Sequence, residues 1–503
     1  MAIRQTMTKN GAVAGVACGD PRITVFKSLP FAAPPVGELR WRTPQPVKDW
    51  EGVYDASRFK PIAAQSRNDH WFYMREFYQQ EEPMDEDCLY LDVYTPAKSA
   101  EERLPVLFFI HGGGYKTGYS YEMETDGEAI CRRGVIYVSI NYRLGVFGYL
   151  AHQELTAESG YGGSGNYGLL DQIAALKWVR ENIAAFGGDP DNITIFGQSA
   201  GAFSVLNLVT SPLAEGMIAK AIMQSGGGYS GNTGLGIGVC PLAEAEEYGA
   251  LLLEKLGVAN IEEARKLPYE IVLQAAETLP VEGLLQFIPV IDGYAQIEST
   301  ARMIETRQYA NIPYIIGCNA NENSSYHCVP EIRVCPEVFQ KAAVSCYGDQ
   351  AEAFLKACRF DEDPESAASH YPMNDLLMPA TFAWSKLAAK CTGLKPTYMY
   401  YFDRQLPGEN GDAFHSAELW YVFQTVGRCW RPMNGVDFDL ANTMCSYWCN
   451  FAKTGDPNGE GLPVWTPYTE ENQSVMELGA NVGMISEPMS ERRQFQLEYI
   501  FTK

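Results

Sequence analysis

A serine between two glycines is the residue of this chain best placed to do chemistry. Positions 197–201 read Gly-Gln-Ser-Ala-Gly, with the apolar, largely β-branched run 193–196 before them and small residues after them. This arrangement is typical of a sharp strand-to-helix turn that projects a serine hydroxyl, and the N-terminus of the helix favours negative charge there. The alternative is an ordinary Gly-Ser loop. The strand before the motif and the helix after it favour Ser199 as a nucleophile.

A run of three glycines offers a partner for such a nucleophile. Gly112, Gly113 and Gly114 follow the continuous apolar stretch 105–110, which has the composition of a strand buried on both faces. Without side chains, the backbone N–H groups at this point stay open to a substrate carbonyl oxygen. Taken alone, the glycines indicate a flexible turn equally well. Together with Ser199 they predict an oxyanion hole.

A serine nucleophile needs a base and, behind the base, a carboxylate. Among the six histidines, His415 is preferred because it follows the predicted strand 397–403, and His327 is the reserve candidate. Glu322 follows the predicted strand 312–318 and is preferred as the carboxylate over the alternative of a solvated loop residue. Functional groups collect beyond the carboxyl ends of the strands in an open α/β sheet. The chain order serine, glutamate, histidine is that of an α/β-hydrolase.

The elements that must hold these residues alternate between strands and helices. Apolar stretches predict strands at 89–94, 105–110, 134–140, 193–196, 218–225, 312–318 and 397–403. Apolar residues at helical spacing predict a helix over 168–186. The succession predicts an α/β fold with a large, mainly parallel central sheet and helices on both faces. Helical insertions are expected at about 240–285 and 336–390, within a single domain spanning 1–503, since no repeat or linker separates them.

Composition excludes several classes of protein. An apolar fraction of 46% in 503 residues is typical of a globular chain and not of a disordered or collagen-like one. The net charge of −23 would repel phosphate backbones and anionic lipid, so neither nucleic acid nor a membrane is an expected partner. No stretch approaches the roughly 18 apolar residues of a membrane span. The N-terminus lacks the apolar segment of a secretory signal, which predicts a cytoplasmic location.

The 13 cysteines form no CxxC pairs and are scattered along the chain. Their odd number and spacing favour reduced thiols over a disulfide framework or a zinc site. Cys445 and Cys449 lie one helical turn apart, but no cluster of His or Cys residues completes a metal site around them. They are therefore interpreted as core residues. Neither a metal nor an organic cofactor is expected.

Aromatic residues in two places are candidates for lining a substrate pocket. They are Trp71, Phe72, Tyr73, Phe77 and Tyr78 in one segment, and Trp420 shortly after the candidate base. The alternative is that these side chains simply anchor a long loop. A pocket lined by them would suit an aromatic ester such as a hydroxycinnamate.

Seven motifs are spread over nearly the whole length of the chain. They read FAAPPVG, EDCLYL, HGGG, NYRLG, GNYGLLDQ, GQSAG and FAKTGDPN, at positions 31–37, 86–91, 111–114, 141–145, 165–172, 197–201 and 451–458. Together they resemble the type-B carboxylesterases, the family of cholinesterases, bacterial para-nitrobenzyl esterases and the non-catalytic neuroligins.

The resemblance implies an α/β-hydrolase fold and a serine-based site. It implies Ser199 as nucleophile, Glu322 as acid and His415 as base. It also implies an oxyanion hole formed by the N–H groups of Gly113, Gly114 and Ala200, and a serine behind the acid at Ser225.

Two departures from the family pattern bear on substrate and compartment. The residue before the nucleophile is Gln198, where the family usually has a glutamate that in cholinesterases helps to attract a cationic substrate. Choline esters therefore become less favoured. Secreted members pair the cysteine that matches Cys88 with one upstream, whereas this chain has Ala63, Ala64 and Gln65 at that place. The missing disulfide is consistent with a cytoplasmic protein.

The sequence thus predicts a serine carboxylesterase that hydrolyses small-molecule esters through an acyl-enzyme intermediate. One alternative is a cholinesterase-like binding module without catalysis, which the complete set of Ser199, Glu322 and His415 disfavours. Others are an amidase, or a lipase, for which no large apolar lid is evident. No oligomeric state is indicated.

Overall fold

A large sheet forms the centre of the protein, whose computed structural model describes residues 2–66, 71–78, 82–231, 239–279, 287–322, 335–368 and 376–502. The sheet has eleven strands, numbered here in chain order. They are β1 (Val16–Ala17), β2 (Thr24–Pro30), β3 (Tyr90–Thr95), β4 (Leu104–Ile110), β5 (Ile136–Ile140), β6 (Gly188–Gln198), β7 (Lys220–Gln224), β8 (Tyr314–Asn319), β9 (Thr397–Phe402), β10 (Ser474–Leu478) and β11 (Val482–Ser486).

In space the strands lie in the order β11-β10-β9-β8-β7-β6-β4-β5-β3-β2-β1. Strands β4 to β10 run parallel to one another. Antiparallel strands complete both edges, with β11 beside β10 and with β3, β2 and β1 beyond β5. The predicted mainly parallel sheet is confirmed. Its parallel strands bring the carboxyl ends of β4, β6, β8 and β9 to one edge of the sheet, where functional groups collect in open α/β folds.

The central strands are buried on both faces. In β4, Val106, Phe108 and Ile110 belong to one apolar cluster, whereas Leu107 and Phe109 belong to another. Because successive side chains of a strand point to opposite faces, these clusters are the cores on the two sides of the sheet. Covering on both sides explains why the strand reads as a continuous apolar run instead of an alternating one.

Helices fill the connections between the strands. The α-helices are Trp71–Glu76, Glu128–Arg132, Gly145–Tyr149, Gln153–Glu158, Tyr167–Asn182, Ala200–Thr210, Leu242–Leu256, Ile261–Arg265, Tyr269–Glu277, Thr300–Glu305, Pro336–Tyr347, Ala351–Ala357, Pro364–Ala368, Leu377–Ala389, Leu419–Val422, Gly435–Thr454 and Glu491–Thr502. The helix predicted at 168–186 is observed as Tyr167–Asn182, followed by a 3-10 helix over Ile183–Phe186. Gly187, at φ 83°, ends this segment in the left-handed conformation that favours glycine.

The segments expected as insertions contain helices wherever the structure describes them. Helices lie at 242–256, 261–265 and 269–277 in the first, and at 336–347, 351–357, 364–368 and 377–389 in the second. Residues 280–286 and 369–375 lie outside the described residues. The assignment of 1–503 to a single domain stays a prediction.

Several elements were not indicated by the sequence. The edge strand β11 is only half-buried or exposed along its length, so it lacks the apolar run that marks a central strand. A separate sheet joins three short strands near the N-terminus, Gln5–Thr8, Gly11–Ala14 and Val53–Asp55. The 20-residue helix Gly435–Thr454 begins with a capping box formed by Asn434 and Asp437. This reciprocal hydrogen bonding satisfies N–H groups at the start of the helix.

The cysteines carry no disulfide within the described part of the chain, where all twelve are free thiols. Cys445 and Cys449 are buried on the helix Gly435–Thr454, in the apolar cluster on one side of the sheet. In the same described ranges, no helix combines the length and the apolar character needed to cross a membrane. The cytoplasmic location stays a prediction.

Candidate active site

Ser199 lies at the joint between β6 and the helix Ala200–Thr210. Its backbone has φ 56° and ψ −125°, a conformation that a residue with a side chain adopts only at a cost. The Ser199 N–H donates to the carbonyl oxygen of Gln224 on the neighbouring strand β7, at 2.9 Å. The predicted sharp strand-to-helix turn is therefore present, with Ser199 at its apex.

The glycines on either side of the serine are required by space. A Cβ atom on Gly201 would lie 2.0 Å from the carbonyl oxygen of Ile110, and one on Gly197 would lie 2.4 Å from the carbonyl carbon of Gly201. Both clashes are with backbone, which cannot swing away as a flexible side chain does. Close packing of the helix start against β4 and β6 thus explains the Gly-x-Ser-x-Gly spacing.

The glycine turn after β4 faces the serine. A Cβ atom on Gly112 would lie 3.2 Å from the Cβ atom of Ser199. Gly113 and Gly114 have φ values of 97° and 63°, and the Gly113 carbonyl accepts hydrogen bonds from the N–H groups of two residues further along the turn. Within the described ranges, the N–H groups of Gly113, Gly114 and Ala200 donate to no protein group. These three donors are available to a ligand oxygen.

Glu322 and His415 meet beyond the ends of β8 and β9. The His415 Nδ1 lies 2.6 Å from Glu322 Oε2, and the other carboxylate oxygen accepts the N–H of Asn319 at 2.7 Å. The side chain of Glu322 is 4% exposed and that of His415 is 15% exposed, so the imidazole is the part of the pair that a substrate can reach. Burial lowers the pKa of His415, but the hydrogen bond and charge of Glu322 and the charge of Glu418 outweigh it, so the pKa is raised.

The second imidazole nitrogen faces the residue before the nucleophile. Gln198 Nε2 lies 3.3 Å from His415 Nε2. Because the Nδ1 of His415 donates to Glu322, its Nε2 is the acceptor nitrogen, and Gln198 donates to it. The Gln198 amide therefore links the Ser199 turn to the imidazole across 217 residues of sequence.

A buried polar network lies behind the imidazole, and the sequence did not predict it. Glu418, with 0% exposure, accepts hydrogen bonds from Asn319 Nδ2 at 2.6 Å and from Gln224 Nε2 at 3.3 Å. Asn319 Nδ2 also donates to the carbonyl oxygen of Phe414, the residue before His415, at 2.6 Å. The only local signals were the position of Asn319 at a strand end and of Glu418 three residues after the histidine.

For two of the predicted site residues, no contact among the described residues supports the predicted role. Ser225 is buried with φ 50°, and its N–H donates to Gly317 at 2.8 Å. The Ser225 hydroxyl has no hydrogen-bond partner among the residues the structure describes, so its supporting role stays a prediction. The reserve base, His327, lies outside the described residues.

The aromatic residues predicted for the pocket pack next to the histidine segment. Phe72 meets Phe414 edge-to-face with ring centroids 5.0 Å apart, and Phe77 stacks on Trp420 at 5.7 Å. Phe72, Phe77 and Trp420 are buried, while Tyr73 and Tyr78 are half-buried. The side chain of Trp71 lies outside the described residues. A pocket lined by these residues stays a prediction.

A buried ion pair anchors this aromatic segment. Glu76, at the end of the helix Trp71–Glu76, accepts from Arg431 Nε at 2.9 Å, and the two side chains are 1% and 0% exposed. Arg431 also donates to the carbonyl oxygens of Pro407 and Glu409, in the segment that leads to His415. One guanidinium therefore ties the aromatic segment to the loop that carries the histidine.

The sheet order, the strained serine turn and the Glu322–His415 pair are those of an α/β-hydrolase. The model of the carboxylesterase family matches residues 3–496, and the chain belongs to this family. The predicted family, fold and enzyme class are thereby confirmed.

Individual relatives match over nearly the whole chain. The fumonisin B1 esterase of Sphingopyxis macrogoltabida is 34% identical over 95% of this chain and 86% of its own length. The para-nitrobenzyl esterase of Bacillus subtilis (strain 168) is 34% identical over 97% of both chains. The structure of a para-nitrobenzyl esterase superposes with a TM-score of 0.84 at 31% identity, covering 98% of this chain and 99% of the other.

Proposed function

We propose that this carboxylesterase works through a covalent acyl-enzyme, with Ser199 as nucleophile, His415 as base and Glu322 as the carboxylate that orients the base. The observation that carries the proposal is the 2.6 Å contact between His415 and Glu322, at the same sheet edge as the strained Ser199 turn. A carboxylate in this position holds the imidazole in the tautomer whose Nε2 accepts a proton, and stabilises the imidazolium that forms.

The reaction then runs in two halves. Ser199 Oγ attacks the ester carbonyl carbon while its proton passes to His415 Nε2, and the developing oxyanion accepts hydrogen bonds from the N–H groups of Gly113, Gly114 and Ala200. The imidazolium gives its proton to the leaving alcohol oxygen as the C–O bond breaks. Water, deprotonated by the same nitrogen, attacks the acyl carbon, and the imidazolium returns the proton to Ser199 Oγ as the bond between the acyl carbon and Oγ breaks and the acid is released. Each half consumes and returns one proton at His415.

The nucleophile is tested with Ser199→Ala and a chromogenic short-chain aryl ester. Removal of the hydroxyl should lower kcat by about 10⁴-fold or more, as in other serine hydrolases. Ser211→Ala, at the far end of the same helix, is the matched control and should keep wild-type turnover. Mass spectrometry should find an organophosphonate bound to Ser199 of the wild-type protein. Full activity of Ser199→Ala, or no labelling of Ser199, would refute the mechanism.

Aromatic esters, including hydroxycinnamates, are the proposed substrate class. Support comes from the aromatic rings packed beside the histidine segment, from Tyr73 and Tyr78 which remain partly accessible, and from a relative named for a para-nitrobenzyl ester. Gln198 supplies no negative charge next to the base, which disfavours cationic alcohols.

The substrate class is tested with an ester panel. The acyl and alcohol groups are varied separately, and each aromatic group is paired with a cyclohexyl analogue of similar size. Aromatic members should have kcat/KM values at least tenfold above their cyclohexyl partners. Equal values across the pairs would refute the aromatic preference and leave the serine mechanism untouched.

A further inference from the structure

A second carboxylate lies behind the Glu322–His415 pair. Glu418 is fully buried and accepts hydrogen bonds from two neutral side-chain amides, those of Asn319 and Gln224. A buried charge normally requires a counter-charge as well as hydrogen bonds. Neither amide supplies one, so the position of Glu418 needs another explanation.

The groups that face Glu418 point to the imidazole as its counter-charge. The charges acting most strongly on it are Glu322, which raises its pKa, and His415, which lowers it. Tyr400 on β9 also feels the charge of Glu418, but the pKa of this buried phenol is raised further above its ordinary value, so it stays neutral. His415 is thus the group near Glu418 that turns cationic, and it does so during the reaction.

Asn319 and Gln224 also contact the catalytic groups through their backbones. Asn319 donates its backbone N–H to Glu322 and its side chain to the backbone carbonyl next to His415. Gln224 accepts the backbone N–H of Ser199 through its carbonyl and the indole N–H of Trp448 through its side chain. The carboxylate of Glu418 is therefore held by the same residues that hold the acid, the base segment and the nucleophile.

We propose that Glu418 is a positioning residue for the reaction, a second carboxylate held by Asn319 and Gln224 so that its charge stabilises the imidazolium form of His415. This inference rests on the proposed function. When Ser199 gives its proton to His415, the fully buried Glu418 gains the counter-charge that it lacks in the free enzyme. The free energy recovered is realised in the transition state and not in the ground state, which is the condition for raising the rate.

The arrangement has a signature in the pH dependence of the reaction. Burial raises the pKa of Glu418 to about 7. Burial lowers the pKa of His415, but the hydrogen bond and charge of Glu322 and the charge of Glu418 raise it, so His415 and Glu418 each act on the titration of the other. The acid limb of kcat/KM then reports a coupled pair and is broader than that of a single group. A neutral residue at position 418 leaves one titrating group and removes one charge that raises the histidine pKa.

The test is Glu418→Gln, with kcat/KM for the aryl ester measured from pH 5 to pH 9. The acid limb should narrow to a single titration and move about one pH unit lower, and kcat/KM on the alkaline plateau should fall about tenfold, the effect of one pKa unit. Asp92→Asn is the matched control, because Asp92 is also a fully buried carboxylate held by neutral donors. The control should keep the wild-type limb.

A second variant separates charge from hydrogen bonding. Glu418→Gln combined with Gln224→Glu keeps a hydrogen bond between the two positions and an acceptor for Trp448, but it moves the carboxylate one residue along the network. We expect the acid limb of kcat/KM in this double variant to lie at a different pH from that of the wild type. An acid limb of kcat/KM at the wild-type pH in either variant would overturn the inference. A displacement of the limb in Asp92→Asn equal to that in Glu418→Gln would overturn it as well. Organophosphonate labelling of Ser199 tests the proposed serine mechanism separately. If Ser199 is labelled but the acid limb of kcat/KM does not move in the Glu418 variants, only the role of Glu418 is overturned.

Discussion

A negative charge at position 198 should change the pH range in which this esterase works. Gln198 Nε2 lies 3.3 Å from His415 Nε2, and the Gln198 residue is 3% exposed. Gln198→Glu replaces the amide with a carboxylate of nearly the same shape. The new carboxylate would therefore lie against the nitrogen that takes up a proton during the reaction.

The magnitude follows from that distance. Two unit charges 3.3 Å apart attract by about 5 kcal/mol at an effective dielectric constant of about 20, which is an upper limit because the carboxylate also loses hydration. Opposite charges this close raise a histidine pKa by about one to three units. The imidazole must be neutral to act as a base, so the acid limb of kcat/KM should move up by at least one pH unit. At pH 6 the ratio of kcat/KM to its own alkaline plateau should therefore be about tenfold or more below that of the wild type.

The assay is a pH profile of kcat/KM for a neutral aryl ester, measured for the wild type, Gln198→Glu and Gln198→Met. The methionine variant removes the hydrogen bond without adding charge, so its acid limb should move much less than that of Gln198→Glu. A second measurement compares a choline ester with its uncharged 3,3-dimethylbutyl analogue, and Gln198→Glu should improve the ratio for the cation. An unmoved limb in Gln198→Glu, or the same upward movement in Gln198→Met, would refute the reasoning.

Two further predictions concern stability. Arg431→Ala leaves Glu76 buried without its cation and should lower the free energy of unfolding in urea by about 3–5 kcal/mol. Arg75→Ala breaks an exposed pair with Glu409 and should lower it by less than about 1 kcal/mol. Equal losses in the two variants would contradict this account. Burial raises the pKa of Asp92 from 3.8 to about 6, so its contribution to stability is complete below pH 4 and is lost as the pH rises to about 6. In Asp92→Asn the free energy of unfolding should lose this pH dependence, which amounts to about 3 kcal/mol between pH 4 and pH 7 and is measured by thermal unfolding. An unchanged pH dependence would contradict the prediction.

Several features could be predicted from the sequence because their causes are local. The Gly-x-Ser-x-Gly spacing is set by contacts within a few ångströms of the turn, as the clash at Gly201 shows. Continuous apolar runs such as 105–110 mark strands covered on both faces, and the alternation of such strands with helices dictates a parallel sheet. Glu322 and His415 were found because each follows such a strand. The edge strand β11 was missed, since a half-buried strand has no such run.

Other features depend on which strands are neighbours in space. Adjacent β7 and β8 bring together Gln224 and Asn319, and the segment after β9 adds Glu418, so three polar residues distant in sequence share one buried network. Nothing in the local sequence around Glu418 distinguishes a solvated side chain from a buried one. The contact of Gln198 with His415 likewise arises only when β6 and β9 reach the same sheet edge. The sequence by itself predicted which groups do the chemistry. The tertiary structure decided which groups surround the imidazole, because electrostatic effects depend on distance in space and on burial.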